Sequence, residues 1–371
     1  MNLAEMLTFA DIGQLNRIAA HYQCDCKRNS KHELIQSILI ALGQREFFEE
    51  QVRLLTLPQL RFLNQLLFDG RHFFSLEDLQ AVARHSMDEE QGKLTGTPRD
   101  MITLFTKSGW LFNGTAGSNR YLFQVPGDLK ERLRYVLRER FRHQTAAADE
   151  PTVYREEHHL LAEDLQLMLQ FVNNHEIPLN SEGMMYRRQQ QMLMEHLHIQ
   201  EPLIAKGGWR FGYGRSFKDY PDRLALLYDF AVHHKWLTER GGTLKLTEAA
   251  RDEADRNPEE KMIQLFRFWL KLYKGAIPNL VSLVYWVGES SRSWVLTESL
   301  MDSVGILIKP FYYDKPHDIL HKRLLHMMLH LGMVRIGELP GCGTAVQMTA
   351  WGVKMSESCI HGFSSKSGMK G

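Results

Sequence analysis

The chain has 371 residues, 44% of them hydrophobic and 24% charged, with 45 Lys and Arg against 44 Asp and Glu. That length allows two or three domains, and the apolar fraction excludes global disorder. A net charge of +1 excludes a globally basic coat, so any polyanion site must be a local patch.

Residues 1–43 read as a small helical module. Met6, Leu7, Ile12, Leu15, Ile18 and Ala19 recur at helical spacing, Cys24–Ser30 is a polar turn, and Lys31–Leu42 is a second amphipathic helix with Ser30 as N-cap and Glu33 three residues on. Residues 47–143 begin with a helix over Pro58–Phe68 and a short extended segment, His72–Phe74. Ser75–Asp78 has capping-box form and opens a second helix, and Pro98 sits at the first position of a third. Trp110–Phe112 and Tyr121–Val125 then make a hairpin with a Gly-rich tip. Lys130–His143 is a strongly basic helix, and Gln144–Pro151 is the best linker in the chain.

The pattern recurs over residues 152–257: a helix over Leu160–Asn173, a strand at Glu176–Leu179, a helix over Ser181–His196, a helix from Pro221 to Trp236 and a hairpin tipped by Gly241 and Gly242. A third pass covers 258–358, with helices over Lys261–Tyr273, Thr297–Ile308 and Pro316–Leu331 and a hairpin from Met333 to Met348. Residues 274–292 are poorly legible, and 359–371 read as a frayed tail. Helix, short strand, helix, helix, hairpin is the winged-helix order. The expected fold is therefore mainly α with small β-hairpins, as tandem winged-helix modules.

No apolar run approaches the ~20 residues of a spanning helix; the most hydrophobic stretch, Leu280–Val287, is too short. Four cysteines (Cys24, Cys26, Cys342, Cys359) are too few for a disulfide framework, and MNLAEMLTFAD has no basic n-region or cleavage site. Both point to a reducing cytoplasm.

Residues 1–43 resemble the helix-extended-helix modules of SAP and Rho N-terminal type, through Leu15, Ile18, Ala19 and Ser30–Ile35. Residues ~45–360 resemble the N-terminal accessory region of bacterial XPB-type helicases, through Leu54–Leu60, Ile177–Gly183 with Tyr186–Arg188, and Leu246–Thr247 leading to Phe268–Leu270. The first resemblance implies nucleic-acid binding; the second implies work beside a helicase. No motor is attached, because Gly92–Lys93 is followed by Leu94 and lacks the first glycine of a phosphate loop.

Other motifs read as ordinary surface. Asp252–Asp255 spells a DEAD string, but it continues a helix flanked by Arg251 and Arg256 rather than ending a buried strand. His317/His321 and His326/His330 have i,i+4 spacing, yet the two pairs point to different faces and no third ligand is evident. Cys24 and Cys26 have no second pair, so neither metal nor cofactor is expected, and nothing resembles a catalytic site. Gly207–Gly214 interleaves Trp209, Phe211 and Tyr213, which suits either base stacking or an ordinary aromatic hairpin.

The sharper signal is on the third helices, which in winged helices enter the major groove. Arg99, Thr103, Thr106 and Lys107 share one face in the first module; Lys315, Lys322, Arg323, His326 and His330 share one in the third. The second module offers Arg223 and His233 opposed by Asp222 and Asp229, and on its second helix Arg187, Arg188, Gln190 and Gln191. Lys31, Arg120, Arg134 and Arg138 complete the candidate phosphate contacts. The expected function is a non-enzymatic protein binding DNA, or RNA, as an accessory in transcription or repair. A protein-docking scaffold built of the same modules is the alternative from a different class.

Overall fold

The computed structural model describes residues 1–87, 89–90, 93–94, 96–114, 117–205, 209–251 and 257–361. Gly92, Gly207, Gly208, the Asp252–Asp255 string and the tail beyond His361 lie outside the described residues. The chain is mainly helical with small antiparallel sheets, and it divides into two compact units, Met1–His143 and Gln144–Gly371. The boundary falls where the small, polar Gln144–Pro151 stretch begins. Among the described residues no helix is long and apolar enough to cross a membrane.

In the first unit, α1 (Leu3–Phe9), α2 (Ile12–His21) and α3 (Lys31–Gly43) are followed by α4 (Arg45–Arg53), α5 (Leu57–Phe68) and α6 (Leu76–Ser86). Caps fix the starts: Ser30 Oγ accepts from Glu33 N–H at 3.3 Å, and Ser75 with Asp78 forms a reciprocal capping box. A two-residue ladder, β1 (Glu89–Glu90) and β2 (Lys93–Leu94), precedes α7 (Pro98–Lys107). The hairpin β3 (Phe112–Asn113) and β4 (Phe123–Gln124) is extended by a bridge from Phe123 to Phe74. Residues 1–43 form no separate body. Tyr22 Oη donates to the Ser108 carbonyl at 2.6 Å, and Leu3 N–H donates to Asp128 at 2.8 Å.

Helix α8 (Gly127–Gln144) closes this unit. Leu129, Leu133, Leu137 and Phe141, at intervals of four, are all buried, so the helix packs inward along its whole length. Two of its cations are drawn into that packing. Arg132 stacks on Phe48 with 4.1 Å to the ring centroid and donates to the Leu42 and Gly43 carbonyls at the C-terminus of α3. Arg134 is buried and paired with Glu131 at 2.9 Å. The expectation of phosphate contact along this helix is corrected at Arg134, and Arg138 is half-buried.

The second unit starts with β5 (Tyr154–Arg155), α9 (Leu160–Asn174), β6 (Ile177–Pro178), α10 (Arg187–His196) and α11 (Asp222–His233). The expected helix over Ser181–His196 is shorter: Asn180 Oδ1 accepts from the N–H groups of Glu182 and Met184, both at 2.9 Å, and holds a turn instead. The hairpin β7 (Leu237–Arg240) and β8 (Thr243–Leu246) pairs with β6 and leads into α12 (Glu248–Arg251). Helices α13 (Pro258–Tyr273) and α14 (Leu280–Ser290) follow. Helix α14 is buried almost all round, which removes the amphipathic period and explains why residues 274–292 read poorly.

Strand β9 (Val295–Leu296), α15 (Thr297–Ser303), α16 (Pro316–Asp318), a widened i→i+5 stretch over Ile319–Leu325, and α17 (His326–His330) come next. Strands β10 (Val334–Leu339) and β11 (Gly343–Met348) form a four-stranded antiparallel sheet in the order β5-β10-β11-β9. Last is α18 (Ala350–His361), which packs on α14. Gly288 permits the approach, because a Cβ there would lie 2.5 Å from Ser356 Oγ. The second and third expected modules therefore share one unit.

Candidate nucleic-acid interface

In the first unit, Thr97 caps α7 and Pro98 occupies its first turn. Met101, Ile102 and Phe105 face inward, Phe105 packing edge-on against Phe62 at 4.9 Å and Trp110 at 5.7 Å. Arg99, Thr103 and Lys107, spaced by four, are exposed on the other side, while Thr106 is half-buried and donates to the Ile102 carbonyl. Arg120 and the 81%-exposed Tyr121 lie in the connection between β3 and β4, and Lys31 is exposed at the first position of α3. Among the described residues, Arg99, Lys107, Arg120 and Lys31 make no ion pair with a carboxylate. Burial, then the charge of Lys107, lowers the pKa of His21.

In the second unit the candidates divide. Arg188 and Lys315 are exposed; Arg187 is exposed but donates to the Ile204 carbonyl at 2.7 Å. Lys322 pairs with Asp318 at 2.7 Å across one helical turn. Arg323 is corrected outright. It is buried, donates from Nε to Asp314 at 2.8 Å, stacks on Tyr213 and donates to the Phe211 carbonyl at 2.7 Å. His330 and Arg223, expected on solvated faces, lie in the core.

Their burial builds a charged hub. Arg223 donates to Glu157 at 2.7 Å and to Asp164 at 2.6 Å, and Asp164 also accepts His198 N–H at 2.7 Å. Glu157 further accepts from Arg155 and from His330 Nδ1. Hydrogen bonding to His330 and the nearby arginine charges outweigh burial and hold Glu157 down at about 2. Burial holds His330 at about 4. Its Nε2 is enclosed without a partner, so a second proton would be a buried N–H with nothing to bond. Glu201 accepts the N–H groups of Arg223 and Leu224 at 3.1 Å each, capping α11.

The aromatic run forms a displayed cluster. Trp209, Tyr312 and Tyr313 are 72%, 83% and 69% exposed. Trp209 meets Tyr313 edge-on at 4.8 Å, and Phe211 lies 5.4 Å from Tyr313 and 6.3 Å from Tyr312. Arg210 anchors the run to the Tyr220 carbonyl at 2.7 Å and to Asp222. Across from it, Phe311 and Asp314 exchange two backbone hydrogen bonds of 3.0 Å, a tight turn with Tyr312 at φ +50°. Left-handed backbone at a tyrosine is costly and clusters at functional positions. Arg323 thus grips both halves, through Asp314 and through the Phe211 carbonyl. The sequence signal for Tyr312 and Tyr313 was three consecutive aromatics between Pro310 and Asp314, outside any helical period.

Of the histidine pairs, His326 and His330 lie 4.5 Å apart with tilted rings and His330 Nδ1 is taken up by Glu157 in the hub, whereas His317 and His321 stack at 4.2 Å beside Glu298. No protein-family model, curated protein or solved structure matches the chain.

Proposed function

We propose that this protein binds nucleic acid without catalysing a reaction on it. DNA is the first target to test, and the role is that of an accessory acting beside a helicase on another chain in the cytoplasm. The observation that carries the reading is the exposed Trp209–Tyr312–Tyr313 cluster, fastened by the buried Arg323–Asp314 pair and the half-buried Arg210–Asp222 pair and followed by the exposed Lys315. Aromatic faces stack on bases of any sequence while nearby cations meet phosphate. The first unit supports it with Arg99 and Lys107 on the outer face of α7 and Arg120 beyond β3. The order α5, the Phe74 bridge, α6, α7 and the β3–β4 hairpin is what a winged helix requires, with α7 as its reader. Four free cysteines accord with a reducing compartment.

A salt titration of duplex and single-stranded DNA binding tests the reading. Each phosphate contact contributes a slope of roughly −0.9 in log K against log salt. The double reversal Arg99→Glu, Lys107→Glu should weaken duplex binding and flatten that slope by about 2 units. An unchanged slope removes α7 from the interface. A docking scaffold is the second reading, favoured by the near-zero net charge and by the internal pairing of Arg134, Lys322 and Arg323. It gains if neither DNA form binds at low salt.

His21 supplies a pH test. Burial is the larger cause that lowers His21 and the Lys107 charge the smaller; phosphate on Lys107 would cancel the second, so the His21 pKa would be higher in the complex than in the free protein. Duplex affinity should then rise as pH falls through the histidine range, and His21→Gln should abolish the rise, as read by fluorescence anisotropy at constant salt.

A further inference from the structure

Glu298, in the first turn of α15, stands against two imidazoles of the helix that begins at Pro316. Its Oε1 lies 3.3 Å from His317 Nε2 and 3.6 Å from His321 Nε2, and one donor atom from each of the three residues falls within 4.8 Å of the others. The His317 and His321 rings are stacked, 22° from parallel. Glu298 and His317 are 69% and 57% exposed, His321 only 24%, so the cluster opens to solvent on one side.

An ordinary carboxylate–imidazole ion pair accounts for one histidine. It does not account for the second, whose Nε2 is enclosed, has no hydrogen-bond partner and faces the same oxygen. Zinc bond lengths of about 2.0–2.1 Å to nitrogen and about 2.0–2.2 Å to oxygen put the edges of a tetrahedral site at about 3.4 Å. The two nitrogen–oxygen separations already match that edge, and the two stacked rings need only turn about their Cβ–Cγ bonds for both Nε2 lone pairs to meet one ion. Two imidazoles and a carboxylate suit zinc among the common divalent ions, whereas calcium and magnesium prefer all-oxygen sets.

We propose that Glu298, His317 and His321 form a zinc-class binding site with three protein ligands and a fourth position open to water or an external donor. The site does not depend on the nucleic-acid reading. Histidine spacing alone could not reveal it, because the third ligand comes from another helix 19 residues earlier in the chain.

The test uses the full, tag-free chain and zinc itself, in competition with a chromophoric chelator. His317→Gln, His321→Gln and Glu298→Gln should each weaken zinc at least as much as the roughly 10–100-fold that losing an outer partner of a metal ligand costs. The exposed His32→Gln, in the other unit, should leave it unchanged. Cobalt(II) bound to the wild-type chain should give the intense visible bands of a four-coordinate ion, a readout that needs no variant. Equal zinc affinity in wild type and all variants, or only the weak spectrum of hydrated cobalt, would overturn the site and leave a paired surface cluster.

Discussion

Arg223→Met should destabilise the second unit by about 3–5 kcal/mol, the cost of stranding buried charge when one partner of an internal ion pair is removed. The substitution nearly preserves volume, so the loss is electrostatic. Glu157 and Asp164, both fully buried, would face each other's neighbourhood without the guanidinium that joins them. Replacing all three by apolar groups would not be neutral, as it can be for an isolated pair. Asp164 also satisfies the N–H groups of His198 and Ile199, and Glu157 those of Arg155 and His330. Urea denaturation followed by tryptophan fluorescence measures the loss, and a change under about 1 kcal/mol would mean that water or a shifted side chain reaches the hub.

The same hub makes the unit acid-sensitive in two stages. His330 has a depressed pKa of about 4, so between the ordinary histidine value of 6.5 and about 4 the unfolded chain binds a proton that the folded chain refuses; stability falls as pH drops through that window. Glu157, held at about 2, stabilises the fold fully above the ordinary glutamate value of 4.5, and that contribution is lost as pH falls towards about 2. Both signs are the same, so acid erodes the hub continuously.

The arginines explain what the sequence could and could not reveal. Helix starts were legible because Ser30, Ser75 and Pro98 act locally. The hairpins were legible because glycine turns and alternation act locally too. What cations do was not legible, because it depends on partners far along the chain. Arg223 finds Glu157 at a separation of 66 residues, Arg132 finds the end of α3 at 90, and Arg323 finds Phe211 at 112. Helix α8 looked like a phosphate-binding helix because its arginines dominate the composition, but the spacing of Leu129, Leu133, Leu137 and Phe141 decides its burial. Helix α14 was hidden for the opposite reason: a segment buried almost all round has no polar face to set a period. Of the candidate cations, Lys31, Arg99, Lys107, Arg120, Arg188 and Lys315 are exposed, whereas Arg187 and Lys322 are exposed but held by the Ile204 carbonyl and by Asp318.

Trp209→Ala and Tyr313→Ala should each weaken binding to single-stranded DNA by about 1–3 kcal/mol, the cost of one lost base stack, with little change in salt slope because no charge is removed. Their exposure means that neither should affect folding by more than about 0.5 kcal/mol. Tyr312 separates a binding platform from a merely tolerated surface cluster. Tyr312→Gly relieves left-handed backbone that costs on the order of 1–3 kcal/mol, yet it removes the most exposed ring of the group. The expected outcome is a chain that is more stable and binds less tightly, measured by thermal unfolding and anisotropy on the same preparation. A turn that served only to connect helices would gain stability without losing any partner. Arg323→Lys gives the complementary result: a single ammonium cannot hold Asp314 and the Phe211 carbonyl together. The platform should therefore loosen, and single-strand affinity should fall although no residue that touches a base has been changed. If all four variants bind single-stranded DNA like the wild type while duplex binding through α7 persists, the aromatic cluster is a protein-docking surface.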